Sequence, residues 1–327
     1  MSRQPVIIDT DPGVDDAAAL LLALASPEIE LRGVSVVAGN VGLAASLANA
    51  CRILALAGRG DVPVLAGAAE PLCRSPVRGR HARIGVFAED IVPPAPACPR
   101  PEPAAFFIAR QALAAAAAGR PITICAIGPL TNIALALRLH PGVAGAIGRI
   151  VMMGGAFRVP GLRTPWAEYN VLADPHAAQI VWQSGVPLVV LPLDVTQQAL
   201  FTEAEFSRLE ARGSAGGRAL AGLLRRYDRS DPARYGRPGG PLHDPMTIAW
   251  LLRPDLFAGQ PATIGVTLDG PTAGQSWADP GPAAGPAPNA LVMTGIDEAA
   301  YRHLLVERIG GLAAAAPRAP AVAEGTA

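Results

Sequence analysis

Short apolar runs alternate with longer segments of helical period through most of this chain. Pro5-Val6-Ile7-Ile8 is an unbroken apolar run, which predicts a buried strand. Asp15 to Ala25 predicts a helix, Leu31 to Val37 a strand, Leu43 to Ala57 a helix and Val62 to Ala66 a short strand. Ala104 to Ala118 combines a helical pattern with the high helix propensity of alanine. Ile122 to Ile127 predicts a strand, after which Pro129 opens a helix at the position proline favours. Arg149 to Met153 and Leu188 to Leu193 predict two more strands. Strands separated by helices argue for an α/β fold, a single domain with a mostly parallel central sheet flanked by helices.

Two stretches interrupt the alternation. Arg74 to Pro103 is rich in Pro, Arg and Gly without a clear period, and Arg225 to Pro241 is polar and ends in Gly-Arg-Pro-Gly-Gly-Pro. Long irregular segments inside a compact domain are lids, binding loops or plain surface loops. From Pro261 to Thr294, alternating short runs predict a few added strands, and Tyr301 to Ile309 predicts a last helix. The Ala/Pro-rich end, Ala313 to Ala327, predicts disorder. With no internal repeat and no dividing linker, a catalytic domain over 1–310 and a disordered tail over 311–327 are expected.

Composition narrows the function. Half of the 327 residues are hydrophobic, enough for a large core. The formal net charge is zero, which favours neither nucleic acid nor an anionic membrane as a partner. Every basic residue is arginine. Without lysine the chain excludes a Schiff-base lysine, a PLP lysine and a Walker-type phosphate lysine. No two of Cys51, Cys73, Cys98 and Cys125 have CxxC spacing, and Cys51 and Cys125 read as small core residues. The first ten residues lack a signal peptide's long apolar region, and no uncharged apolar stretch is long enough to span a bilayer. A cytoplasmic, reduced, soluble protein is expected.

The densest chemistry follows the first strand, in Asp9-Thr10-Asp11-Pro12-Gly13-Val14-Asp15-Asp16. In a doubly wound sheet, ligands bind outside the carboxyl ends of the strands, and this segment leaves its strand at such an end. Carboxylates crowded this closely either take up protons or bind a cation. An all-oxygen site selects hard ions, Ca2+ or Mg2+. Taken singly, Asp15 and Asp16 are ordinary acids at a helix start. Four acids around a Pro-Gly turn after an apolar strand make a functional site the stronger reading.

Other strand ends offer groups to complete such a site. Asn40 ends Val37-Ala38-Gly39-Asn40, Ile127 offers a main-chain carbonyl before Gly128-Pro129, and Met153 precedes Gly154-Gly155. Glu168 and Asn170 lie two apart, so an extended backbone aims both one way. Far along the chain comes Leu242-His243-Asp244-Pro245. Asp-Pro before a helix is an ordinary cap, and Asp174-Pro175 is assigned that role and no chemistry. Asp244 and His243 gain weight only in combination with the other motifs.

These segments, in this order, resemble the inosine-uridine-preferring nucleoside hydrolase family. The matching motifs are Asp9-Thr10-Asp11-Pro12-Gly13-Val14-Asp15-Asp16, Ala38-Gly39-Asn40, Gly128-Pro129-Leu130-Thr131-Asn132, Met153-Gly154-Gly155, Ala167-Glu168-Tyr169-Asn170 and His243-Asp244-Pro245, within roughly residues 5–310. The resemblance implies a ribonucleoside hydrolase that releases free base and ribose. It implies Ca2+ held by Asp11, Asp16, Asp244 and the Ile127 carbonyl, with a metal-held water attacking C1′ directly and Asp11 as its general base. Asp15, Asn40 and Asn170 would hold ribose hydroxyls, Glu168 would face the 5′ side and Met153 would line the sugar pocket. Asp9 would support the site from behind, and His243 would stand near the base as a possible donor to the leaving group. A homodimer or homotetramer is also implied. Carboxylates around the sugar suit the reaction, because breaking the C1′–N bond builds positive charge on the ribose ring.

The sequence departs from the family pattern in three places. Leu162 stands where family members carry Asn, which predicts tolerance of, or preference for, a substrate altered at the 5′ position. The family's His-Gly-x-x-Gly loop is His81-Ala82-Arg83-Ile84-Gly85 here, leaving His81 a candidate contact to the base. Gln197 stands where many members have His or Arg. Tyr227 and Tyr235 are alternative stacking partners for a base, so base preference stays open. Two other readings compete. One is a calcium-dependent nucleoside- or sugar-binding protein without turnover. The other is a phosphohydrolase of the haloacid-dehalogenase type using Asp9 and Asp11, which the absence of lysine disfavours.

Overall fold

A computed structural model gives the fold and describes residues 3–77, 82, 84–281 and 287–312. In chain order the elements begin β1 (Gln4–Thr10), α1 (Val14–Leu24), β2 (Ile29–Val36), α2 (Leu43–Leu56), β3 (Val64–Ala66), β4 (Pro99–Arg100) and α3 (Ala104–Ala117). They continue with β5 (Ile122–Ala126), α4 (Thr131–Leu139), α5 (Val143–Ala146), β6 (Ile147–Met153), α6 (Tyr169–Ala173), α7 (Pro175–Trp182), β7 (Leu188–Leu191) and α8 (Leu193–Thr196). The last third holds β8 (Leu200–Phe201), α9 (Glu203–Ala211), α10 (Ala215–Arg226), α11 (Pro232–Tyr235), β9 (Gly240–Pro241) and α12 (Pro245–Leu252). It closes with β10 (Phe257–Val266), β11 (Ser276–Asp279), β12 (Ala290–Ile296) and α13 (Glu298–Gly310).

One ten-stranded sheet runs in the order β11-β10-β12-β7-β6-β5-β1-β2-β3-β4. Every neighbouring pair from β12 to β4 is parallel, and β10 and β11 extend the edge antiparallel. The expected mostly parallel α/β architecture is therefore the one observed. Strands covered on both faces must be apolar throughout, and β1, β5 and β7 are buried along nearly their whole lengths. Each face has its own apolar cluster: Ile8, Leu20, Leu21 and Ile53 belong to one, and Ile7, Ile108, Ile124 and Ile133 to the other. Adjacent Ile7 and Ile8 point to opposite faces, as the two-residue strand period requires.

The connectivity determines where a ligand can sit. From β1 the chain steps outward through β2, β3 and β4, then returns to place β5 on the other side of β1. The crossovers on the two flanks of β1 thus diverge, leaving a crevice at the carboxyl ends of β1 and β5. Asp11 and Ile127 emerge there, Asp9 standing in register with Ala126 and the Ile127 amide donating to the Asp9 carbonyl at 2.8 Å.

Two expectations need correction. Cys51 and Cys98 form a disulfide joining α2 to the segment just before β4. The reduced chain expected from spacing does not hold, because folding brings together cysteines 47 residues apart. Cys125 is a buried free thiol, as expected. Arg225 to Pro241 is also less irregular than its composition suggests, containing the end of α10, all of α11 and β9. The expected tail, from residue 313 onward, and His81 lie outside the described residues. Among the described residues no helix is long and apolar enough to cross a membrane.

Candidate active site

The aspartate-rich turn is built by its own short-range bonds. Asp16, in the first turn of α1, accepts from the Thr10 hydroxyl at 2.6 Å and the Gly13 amide at 2.9 Å, which ties the end of β1 to the start of α1. Asp9 is held behind the turn, accepting through Oδ1 from Ser35 at 2.5 Å and Asn132 at 2.8 Å. Asn132 in turn accepts from the Ala68 amide at 2.8 Å, so one side chain links the ends of β1 and β3 with α4. Asn49 of α2 donates to the carbonyls of Pro12 and Gly85 and accepts from the Phe87 amide. That clamp fastens the segment around Gly85 to the turn.

The Oδ2 of Asp11 accepts from the Asn40 main-chain amide at 2.5 Å, while its Oδ1, like Asp9 Oδ2, is buried with no hydrogen-bond partner among the described residues. Two glycines make room for this carboxylate. A Cβ on Gly39 would fall 2.1 Å from Asp11 Oδ2, and one on Gly128 would fall 2.9 Å from Oδ1. The ends of β2 and β5 therefore close on Asp11 only because neither carries a side chain there. A buried polar atom left without a protein partner is costly, a cost that a bound ion or water at Asp11 would offset.

Three further carboxylates lie close by. Oxygens of Asp15, Asp16 and Asp244 all fall within 4.8 Å of one another, and all three residues are buried. Burial first, then the Asp16 and Asp15 charges, pushes Asp11 well above the usual carboxylate range. Asp244 is raised likewise, by burial and then by Asp15, Asp16 and Asp11, with Arg229 acting in the opposite direction. Asp16 is raised to about 6, by burial and then Asp15. Crowded, dry and all-oxygen, these donors suit a hard divalent cation, which would replace the protons the cluster otherwise holds. The residues present fit such an ion.

Asp244 precedes Pro245 at the start of α12, yet its side chain makes no capping bond, so the ordinary cap reading does not apply. His243, immediately before it, is buried with Nδ1 at 2.7 Å from the Thr196 hydroxyl, which orients the ring. Glu168 caps α6, accepting from the amides of Asn170, Val171 and Gly155, and burial lifts its carboxyl to about 7. Asn170 donates to the carbonyls of Ile127 at 3.0 Å and Met153 at 3.2 Å, spanning the ends of β5 and β6.

A cleft of about 420 Å3 opens above these groups. Asp15, Asn40, Ile127, Met153, Glu168, Asn170, His243 and Asp244 all line it, so the fold gathers residues from six separate parts of the chain. Asp11 and Asp16 lie fully buried beside them. Leu162, Tyr227 and Tyr235 line the same cleft. Sequence reasoning missed two contributors. Thr196, next to Gln197, carries no signal of its own. Arg229 reaches into the cluster from the segment between α10 and α11, 2.8 Å from Asp15, and nothing in Arg225-Arg226-Tyr227-Asp228-Arg229 singles it out from the other arginines.

The family model for inosine-uridine preferring nucleoside hydrolase matches residues 6–303. An uncharacterized protein of Schizosaccharomyces pombe is 44% identical over 308 residues, covering 94% of this chain and 99% of that protein. The pyrimidine-specific ribonucleoside hydrolase RihA of Salmonella agona is 40% identical over 314 residues, covering 93% and 98%. Among solved structures, a purine-preferring ribonucleoside hydrolase from Gardnerella vaginalis superposes with a TM-score of 0.85 at 32% identity, covering 96% of this chain and all of that one.

Proposed function

The chain belongs to the inosine-uridine preferring nucleoside hydrolase family and is a ribonucleoside hydrolase, and from that premise we propose that it cleaves the N-glycosidic bond by direct attack of water, with Ca2+ as cofactor and Asp11 as general base. The observation that carries this reading is Asp11 Oδ1, an unpartnered oxygen buried at the sheet's crossover point beside the other acids. Asp11, Asp16 and Asp244 would hold the ion, together with the Ile127 carbonyl, whose contact with Asn170 leaves a second lone pair. When bound, Ca2+ supplies positive charge that lowers the pKa of a water and anchors sugar hydroxyls. Asp11 takes the proton of the attacking water through its unpartnered oxygen, while the Asn40 amide holds the other oxygen still.

Asp15, Asn40 and Asn170 bind ribose hydroxyls from the cleft walls, and Met153 covers the sugar. The surrounding carboxylates stabilise the positive charge that grows on the ribose as C1′–N breaks. His243, oriented by Thr196, protonates or hydrogen-bonds the leaving base. Glu168 already accepts three backbone amides and Leu162 is apolar, so the 5′ end meets few polar groups able to rearrange toward it. Base choice follows RihA, the more similar enzyme of stated specificity, and favours a pyrimidine ribonucleoside. A homodimer or homotetramer remains part of the proposal, to be read by light scattering. The decisive experiment assays uridine, cytidine and inosine with Ca2+ and after chelation. Ribose release that survives full chelation would overturn the metal's role, and binding without any turnover would leave a nucleoside-binding protein.

A further inference from the structure

Arg229 does not belong to the ordinary surface of the cleft. Its side chain is 12% exposed and its Nη1 lies 2.8 Å from Asp15 Oδ1, whose side chain is 7% exposed. Among the described ion pairs, no other has both partners so enclosed; the buried ends of the Arg52 and Arg302 pairs face more exposed partners. Burial opposes a charged guanidinium, and Asp15 followed by Asp244 and Tyr235 more than offsets it. A Cβ on Gly240 of β9 would lie 2.5 Å from Arg229 Cβ, so the two segments approach this closely only because position 240 is glycine. That contact seats the Arg229 segment against the strand leading into His243 and Asp244.

Charge explains why such a residue should stand there. Asp11, Asp15, Asp16 and Asp244 repel one another at short range in a dry environment. A cation provided by the chain itself lowers that cost when no metal is bound. The same cation weakens the cluster's hold on any other positive ion, because both draw on the charge of Asp15 and Asp244. Asp15 is moreover the group to which we assign a ribose hydroxyl, so a bound sugar and Arg229 contend for one carboxylate.

We propose that Arg229 is the internal counter-cation of the acid cluster, a positioning residue that stabilises the metal-free enzyme through Asp15 and competes there with the divalent cation and the sugar. This rests on the reading that Asp11, Asp16 and Asp244 hold a divalent cation. Binding of metal and nucleoside then draws Asp15 away from Arg229 and releases the segment between α10 and α11, which carries Tyr227 and Asp228 along the cleft wall. The affinity of the loaded site is set partly by the cost of breaking this ion pair.

The test uses the full chain, stripped with chelator and then titrated with CaCl2 in a calorimeter, with thermal denaturation of the metal-free and loaded forms. In Arg229→Met the metal-free Tm falls, and Ca2+ binds roughly tenfold more tightly than in wild type. Adding Asp15→Asn to Arg229→Met restores most of the lost metal-free Tm, because it removes the buried charge that the single variant leaves unpaired. Arg229→Lys, which keeps the charge, stays near wild type in both readouts. Arg229→Gln carries the same test should the methionine variant not fold. Additive losses for Arg229→Met and Asp15→Asn, or Ca2+ binding no tighter than wild type, would overturn the proposal. Wild type that takes up no Ca2+ would defeat the metal reading by itself, and the metal-free double-mutant cycle would still decide for or against Arg229.

Discussion

Three Asp-Pro pairs open helices among the described residues; Asp231-Pro232 caps the short α11, while the longer α7 and α12 use theirs in opposite ways. Asp174 has a non-helical backbone, with φ −146° and ψ 80°, and its side chain turns back to accept from the Ala177 amide at 3.0 Å. Its other oxygen accepts from the Leu72 amide and the Thr131 hydroxyl, binding α7 to α4 and to a distant loop. Asp244 already has helical angles, φ −66° and ψ −39°, and from that conformation its carboxylate does not reach the amides of α12. It points among Asp11, Asp15 and Asp16 instead, where burial and repulsion raise its proton affinity. Asp174, with both oxygens engaged, ties helices together, while Asp244, withheld from its own helix, adds its charge to the acid cluster.

Several measurements test that contrast. The largest effect is expected at Asp11. Asp11→Asn should lower kcat by about 10^3-fold while circular dichroism and metal-free Tm hold, since removing a general base costs on the order of 10^2 to 10^4. Turnover close to wild type in this variant would remove Asp11 from the mechanism.

The Asp-Pro pair itself comes next. Asp244→Asn should lose most of the Tm gain on Ca2+ addition and most activity, with metal-free Tm unchanged or higher because one mutually repelling charge is gone. Asp174→Asn should do the reverse, retaining turnover while losing roughly 1–2 kcal/mol of stability in urea denaturation. Equal responses of the two variants would dissolve the distinction between scaffold and site.

pH offers a third comparison. Asp16 titrates near 6 in the folded chain against 3.8 for an ordinary aspartate, and Asp11 and Asp244 are raised as well. Raised carboxyls favour the protonated folded state, so their contribution to metal-free stability is present in acid and lost as pH rises through about 6. A cation needs the ionised forms and displaces those protons. The Tm gain from saturating Ca2+ should therefore be large at pH 8 and shrink on acidification through pH 6. A gain that grows toward acid would contradict the assignment. The smallest effect is expected at the far end of the sugar, where Leu162 lines the cleft. Replacing uridine by 5′-deoxyuridine should change kcat/KM by no more than about threefold, within the ~1 kcal/mol of a single weak polar contact. A hundredfold loss would reveal a 5′-hydroxyl contact that Leu162 does not provide.

Much of this molecule was legible before folding. Local rules act over a few residues, so apolar runs and helical periods revealed the central strands β1, β2, β5, β6 and β7 and helices α1, α2 and α3. The same range covers the Pro12-Gly13 turn and the four acids around it, including the bond of Asp16 to Gly13 three residues away. Less was legible where the pattern is weak. The helix α9 and the short α11 carry mixed residues, whereas α10 buries an apolar face of Ala219, Leu220, Leu223 and Leu224 set among glycines and arginines.

Near-neighbour patterns suffice for the α/β class, the mostly parallel sheet and the chemistry available at its strand ends. Long-range packing settles which aspartate caps and which is withheld, which of many arginines enters the acid cluster, and that Cys51 meets Cys98. These outcomes depend on groups far apart in the chain: Arg229 against Asp15, Asp244 against the turn after β1, and Cys98 against Cys51. Periodicity records how a residue faces its near neighbours. The charge and partners it finally meets are set by the packing of distant segments.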